Sequence, residues 1–265
     1  AQYGSDAIAG VINIVLKKDI NHWSINTGWA GFYDDKFNAY KFRKSNNYYY
    51  SRPIDGGTLS LSANNGWALG KKGGFINISL DLLSQEKTFR QVDTVNWRKD
   101  KDAMPFINSG RRAFGDGSVK TYGAMYNLEL PAGKSGKTTV YSFGGYNKKE
   151  SDAYAYTRNW SAKPERFPTT LSGNLLFDPS IMRIADNGEI YYNPHIQAKI
   201  TDASVALGVK GSAGRNWNWD LSNTLGYNDF HYYGDKTFNS SMFMIPAAEI
   251  QTHFDDGGFN FLQNT

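Results

Sequence analysis

Apolar and polar residues alternate with a period of two along most of this chain, and the alternation breaks where glycine collects. Thr58-Leu59-Ser60-Leu61-Ser62-Ala63-Asn64 sets Leu59 and Leu61 on one face and Ser60 and Ser62 on the other. After the turn Gly70-Lys71-Lys72-Gly73, the run Phe75 to Leu82 alternates again, with Ile76, Ile78 and Leu80 opposed to Asn77, Ser79 and Asp81. Two such runs joined by a short glycine turn predict a β-hairpin. A second unit places Tyr122, Ala124, Tyr126, Leu128 and Leu130 on one face, turns at 132–136 and returns through Thr138 to Tyr146. Its returning strand carries aromatics on both faces, and Tyr141 and Phe143 are expected to point outward. A third unit runs through Ala203, Val205, Leu207 and Val209, turns at 213–215, and returns through Trp217, Trp219, Leu221, Leu225 and Tyr227. An earlier strand carries Trp23, Ile25 and Trp29. The pattern predicts an all-β chain of about seven antiparallel strands.

The connections are unequal. The three hairpin turns are short, whereas the links between hairpins are long, at roughly 34–57, 88–118 and 151–200. In an up-and-down sheet this puts every long link at one end, as in outer-membrane barrels, which have short turns on one side and long loops on the other. The aromatics carry a second spacing. Trp217 and Tyr227 share a face ten residues apart, and Trp23 and Tyr33 repeat the interval. Ten tilted residues rise about 25 Å, the height of the apolar band between the aromatic girdles of a transmembrane barrel. The expected fold is therefore a portion of an antiparallel transmembrane β-barrel, left as an open sheet.

Composition agrees with that reading. The 265 residues include 17 Tyr, 16 Phe, 7 Trp and 27 Gly, a balance suited to strands and tight turns. Cysteine is absent, so neither a disulfide nor a thiolate metal site exists. Mean hydropathy is −0.55, and no stretch is long and apolar enough for a membrane helix, which leaves a β-barrel open. The net charge is +4, but the basic residues are scattered in pairs (Lys71-Lys72, Arg111-Arg112, Lys148-Lys149) among acids, and no nucleic-acid partner is expected.

The opening AQYGSDAIAGVINIVLKK is neither a leader peptide nor a membrane helix. Its lysines follow the apolar run, which is half the length of a span. It reads as the end of a domain that begins upstream. Tyr3, Gly4, Ser5, Asp6, Ala7, Ile8, Gly10 and Asn13, within YGSDAIAGVINI, closely resemble the end of the plug domain of TonB-dependent outer-membrane receptors. Later stretches such as Arg111 to Gly117, Tyr141 to Asn147 and Trp217 to Ser222 resemble barrel segments of the same family. The resemblance implies that 1–18 close a plug domain and that 19–265 form the leading part of a barrel of roughly 22 strands. It also implies a bacterial outer-membrane location, contact with outer-membrane lipid, and coupling to the TonB complex of the inner membrane through an N-terminal segment not present here. The implied function is energy-dependent import of an extracellular ligand such as an iron chelate, cobalamin or an oligosaccharide. A passive porin or a signal-transducing receptor on the same scaffold is the alternative. An outer-membrane enzyme or a soluble carbohydrate-binding β-protein stands further off.

Catalytic sets do not emerge. His22, His195, His231 and His253 are far apart in the chain and lack helical metal spacing. Asp34-Asp35, Asp255-Asp256 and Gly115-Asp116-Gly117 read as solvated turns. No catalytic residue, metal or cofactor is expected, and the protein is read as a non-enzyme. The candidate ligand contacts are Trp160, Arg166, Tyr191 and Tyr192, in the longest link, where Pro164, Pro168, Pro179 and Pro194 stiffen the chain.

Overall fold

The computed structural model describes residues 14–33, 53–88, 115–133, 136–184, 188–214, 217–241 and 249–265. The opening signature from Tyr3 to Asn13, the acids Asp34 and Asp35, and Tyr48 to Tyr50 lie outside them. The described chain is all-β. Strands β1 (Ser24–Tyr33), β2 (Ile54–Leu69), β3 (Gly74–Gln85), β4 (Ser118–Ala132) and β5 (Thr138–Tyr154) are followed by three short ones, β6 (Arg158–Asn159), β7 (Arg183–Ile184) and β8 (Ile190–Tyr192). Then come β9 (His195–Ala213), β10 (Trp217–Asp235) and β11 (His253–Asn264). Eight strands form one antiparallel sheet in the order β1-β2-β3-β4-β5-β9-β10-β11, and the short ones form a separate sheet, β6-β8-β7.

The three hairpins fall where the alternation predicts them, closed by Gly70 and Gly73, Gly133 and Gly136, and Gly214, all at positive φ. Among the described residues the sheet has eight strands, where about seven are expected from the sequence. The addition is β11, whose Asp255-Asp256-Gly257-Gly258 imitates a turn. In the structure Asp255 pairs with Tyr233, and a register shift at Tyr232 absorbs the irregularity. Strands also run further than their apolar alternation. β5 continues to Tyr154 and β10 to Asp235, through residues polar on the face that is apolar lower down.

Because the register is continuous, faces can be followed across all eight strands. One row runs Asn26, Ser62, Asp81, Gly123, Asn147, Asp202, Asn228 and Phe261. The adjacent row, on the opposite face, runs Ile25, Ala63, Leu80, Ala124, Tyr146, Ala203, Tyr227 and Leu262. Leu59, Leu61, Ile76, Ile78, Leu80, Val205 and Leu207 share the apolar face, and Ser60, Ser62, Asn77, Ser79 and Asp81 the polar one, as the alternation dictates. The expectation for Tyr141 and Phe143 is overturned. They lie opposite Glu129 and Asn127, on the polar face. Small neighbours make room for them there: a side chain at Gly208 would meet the Tyr141 ring at 2.4 Å, and Phe143 lies opposite Ala206. The Tyr141 hydroxyl donates to Asp220 Oδ1 at 2.6 Å.

The apolar face is exposed. Leu207 is 59% accessible, Leu221 76%, Trp29 69% and Leu262 73%. The sheet's more deeply buried side chains are largely polar, including Asn64, Asn77 and Asn127. Tryptophans (Trp23, Trp67, Trp217, Trp219) border the apolar band toward the short turns, and tyrosines (Tyr122, Tyr146, Tyr227) border it toward the long links.

Residues 14–21 cross the polar face near the short-turn end. Asn77 Nδ2 donates to the Asp19 carbonyl at 2.8 Å, Asn127 Nδ2 to the Lys17 carbonyl at 2.9 Å, and the Asn21 amide to the Gly66 carbonyl at 2.7 Å. Lys18 pairs with Glu129 at 2.9 Å, and Lys210 reaches the same Glu129 oxygen at 3.0 Å. Asn64 tightens the floor by donating to Asn77 Oδ1 at 2.6 Å and Ser79 Oγ at 2.8 Å. The strap sits so low that a Cβ on Gly66 would lie 2.1 Å from the Asp19 oxygen. Gly66→Val therefore lifts the strap at an overpacking cost of about 1–3 kcal/mol. Deuterium uptake in a peptide covering 14–23 is expected to accelerate about tenfold or more, whereas unchanged uptake would show that the strap is not held by this contact.

Candidate functional site

Three regions concentrate polar chemistry. The first is a trough along the polar face. Small residues (Gly123, Gly145, Gly226) form its floor, and Asn26, Ser62, Asp81, Asn147, Asp202 and Asn228 rise from it. It encloses about 840 Å³, and a smaller recess of about 310 Å³ lies beside it under Val15 and Leu16. Asn228 Nδ2 donates to Asp202 Oδ1 at 2.5 Å across β9 and β10. The trough offers hydrogen-bonding groups and two carboxylates beside the apolar Leu83, Met125 and Phe261, and no Lys or Arg is among its described lining residues.

The second region is a polar belt on the upper part of the other face, beyond the apolar band. Lys87 Nζ donates to Asp152 Oδ1 at 2.5 Å, and His195 Nδ1 lies 2.9 Å from the same oxygen. Gln197 Nε2 bridges Asp152 Oδ2 at 3.0 Å and Asp235 Oδ2 at 3.3 Å, and His253 Nδ1 reaches Asp235 at 3.2 Å. His231 pairs with Asp255. Lys87 also stands 4.3 Å from the Tyr154 ring centroid, and that ring meets His195 edge-on at 4.7 Å. Burial pushes the Asp152 carboxyl up, but the hydrogen bonds from His195 and Lys87 outweigh it and leave the group below the usual carboxylate range. Asp152 is thus an anion at neutral pH, shared among three donors. Burial together with that anion pushes Tyr154 up to about 12, so it stays neutral. Three of the four histidines that are far apart in the sequence, His195, His231 and His253, are thus each beside a carboxylate. The signal was not legible without the register, because the partners stand 43, 24 and 18 residues apart. Among the described residues no group of His, Asp and Glu is arranged to hold a metal ion.

The third region is a cap. The link from β5 to β9 folds on itself through β6, β7, β8 and a short 3-10 turn at Pro164–Arg166. It has an apolar core of Phe167, Met182 and Tyr192, completed by Phe238 and Ile250 from the link between β10 and β11. Phe167, Tyr192 and Phe238 stack edge to face with centroids 5.0 Å apart, and Trp160 meets Phe167 edge-on at 5.5 Å. The Tyr192 hydroxyl donates to the Arg166 carbonyl at 2.8 Å. This core fixes the standing of the candidate ligand contacts. Tyr191 and Tyr192 are 1% and 2% exposed, Tyr192 within the cap core, so neither ring offers a surface for stacking. Trp160 is half-buried against the same core. Arg166, at the end of the 3-10 turn, is exposed. Aromatic residues in a loop carry the same sequence signal whether they pack or bind, and here packing holds three of the four.

No family model, no curated protein and no solved structure matches the chain.

Tyr192→Ala is expected to open the cap at a cost of about 3–5 kcal/mol, as for other buried aromatics. Tyr192→Phe, which keeps the packing and loses one hydrogen bond, should cost about 1 kcal/mol. Protease susceptibility of 158–184 reads both, and equal susceptibility of the two variants would show that the ring does not organise the cap.

Proposed function

We propose that the chain is the plug end and the leading barrel strands of a TonB-dependent outer-membrane receptor that imports an extracellular ligand with energy supplied from the inner membrane. The observation that carries the reading is the inversion of the sheet. Its apolar side chains are exposed in a continuous band, while Asn64, Asn77 and Asn127 are buried on the face crossed by the strap. A soluble monomer rarely exposes an apolar patch of more than a few hundred Å². In a bilayer the same band faces hydrocarbon, and the ladder satisfies the backbone. Tryptophan and tyrosine borders suit the two interfaces.

The resemblance of the opening residues supplies the family, and the strap agrees with it. A plug must lie against a polar wall, and residues 14–21 lie across the polar face, held through carbonyls of the strap and one ion pair. On this reading the trough is lumenal, the short turns are periplasmic, and the cap stands outside the cell. Ligand capture falls to the exposed cap surface that includes Arg166, and release inward requires the plug to shift along the polar wall. The ligand remains one of the family's classes, an iron chelate, cobalamin or an oligosaccharide.

Two experiments test this. Leu61→Arg places a cation in the apolar band and should lower stability in bilayers by about 2–4 kcal/mol if near the midplane, whereas Ser62→Arg on the opposite face should cost much less. Equal losses in a reversible unfolding series would remove the assignment of faces. In whole cells, an epitope at Gly173 in the cap should be reached from outside, and one at Lys72 in a hairpin turn only after the outer membrane is breached. The reverse pattern would invert the topology, and access to both in intact cells would exclude a spanning sheet.

A further inference from the structure

The ion pair that anchors the strap is shared. Lys18 Nζ comes from the strap and meets Glu129 Oε1 at 2.9 Å, and Lys210 Nζ comes from β9 and meets the same oxygen at 3.0 Å. Lys210 has to reach for it. Glu129 is on β4 and β5 lies between, so the two residues are rooted at least two strand spacings apart, about 10 Å. A fixed ring carries the lysine across. Tyr141, opposite Glu129 on β5, lies over Gly208, where a Cβ would meet the ring at 2.4 Å, and its hydroxyl donates to Asp220 Oδ1 at 2.6 Å. Lys210 Nζ stands 5.0 Å from the centre of that ring. Asp220 is directly opposite Lys210 in the ladder, yet it accepts from the tyrosine, and Lys210 extends over the ring to Glu129 instead.

Two ammonium groups on one carboxylate oxygen attract the oxygen and repel one another. While the strap is seated, Lys210 therefore weakens the attachment of Lys18. Once Lys18 leaves, Lys210 stays, and the half-buried Glu129 keeps a charged partner instead of becoming a lone carboxylate in the wall. Both effects lower the free energy needed to part the strap from the sheet.

We propose that Lys210 is a competing cation built into the sheet, which keeps the charged anchor of the strap exchangeable by taking over Glu129 as Lys18 departs. The inference goes beyond the receptor reading and stands on the strap's place across the polar face. On the receptor reading, the same exchange accompanies the shift of the plug along that face. The carboxamide contacts of Asn77 and Asn127 to the strap involve no charged group, so only the anchor at Glu129 responds strongly to salt.

The test measures deuterium uptake in a peptide covering 14–23 on the full-length protein, as wild type, Lys18→Met, Lys210→Met and the double variant. Lys18→Met should accelerate uptake about two- to fivefold, and Lys210→Met should slow it by a similar factor, the size of one exposed ion-pair interaction. The double variant should match Lys18→Met, because Lys210 acts on the strap through the oxygen it shares with Lys18. Lys210→Gln should reproduce the methionine variant, Lys210→Arg should behave as wild type, and 1 M salt should shrink the difference between Lys210→Met and wild type. Faster or unchanged uptake in Lys210→Met would overturn the competition. Equal slowing with and without Lys18, or slowing by Lys210→Arg, would assign Lys210 a packing role and overturn it too. Epitope access at Gly173 and Lys72 tests the receptor reading separately, so either proposal can fail alone.

Discussion

A strand turns its side chains to opposite faces at every residue, and an antiparallel ladder carries that parity unchanged from strand to strand. The rest of this structure depends on that constraint. With eight strands in one register, Asn26, Ser62, Asp81, Asn147, Asp202 and Asn228 share a face whatever lies between them in the chain. A slip of one residue in any strand would put its polar set among the leucines. The polar face resists such a slip through direct bonds. Asn64 joins Asn77 and Ser79, while Asn77 and Asn127 hold the strap, so register and strap position support one another.

The same parity explains why the sheet has no apolar core of its own. Its aliphatic residues are mostly on one face, none of the described residues covers them, and the buried apolar cluster of the described residues lies in the cap instead. The two parts therefore have different sources of stability. The cap is stabilised by burial of Phe167, Met182, Tyr192, Phe238 and Ile250, as in a small soluble domain. The sheet is held by its ladder and by polar networks, and the free energy of its apolar band depends on the solvent around it. On the proposed reading that solvent is lipid, in which an unpaired backbone group is so costly that the long, unbroken ladders are themselves stabilising.

How much of this was legible in the sequence follows from what period two can encode. Hairpins and the facing of β2, β3, β4 and β9 were readable because Leu59, Leu61, Ile76, Ile78, Val205 and Leu207 alternate with small polar residues. Where both faces carry similar residues the signal vanishes. Tyr141 and Phe143 alternate with Val140 and Ser142, and only the space over Gly208 and Ala206 on a distant strand decides their side. Beyond the apolar border the face of β5 and β10 that is apolar lower down turns polar, so alternation could not show that these strands continue. The belt of Lys87, Asp152, His195, Gln197, Asp235 and His253 was hidden for that reason, since it exists only in the register of the extended strands. The cap was hidden for another. Its core draws on two links and on residues such as Tyr191 and Tyr192 whose sequence signature is equally that of an exposed contact.

The strap and the cap occupy opposite ends of the strands, and this arrangement constrains any movement along the polar face. The strap is anchored at Gly66, Asn77, Asn127 and Glu129, each close to a short turn. The cap grows from Tyr154 and His195 at the other end. Between them lies the trough, floored by glycine and lined by carboxamides, hydroxyls and two carboxylates together with Leu83, Met125 and Phe261. A solute crossing a proposed outer-membrane sheet of this kind meets the cap first, then a wall that can exchange hydrogen bonds in small steps, and last a segment fixed by three backbone contacts and one ion pair. Each of those contacts is individually worth about 1 kcal/mol. The wall is weakly held at every point and firmly held only in sum, which is the condition under which a modest pull at one end can move a bound segment without unfolding the sheet.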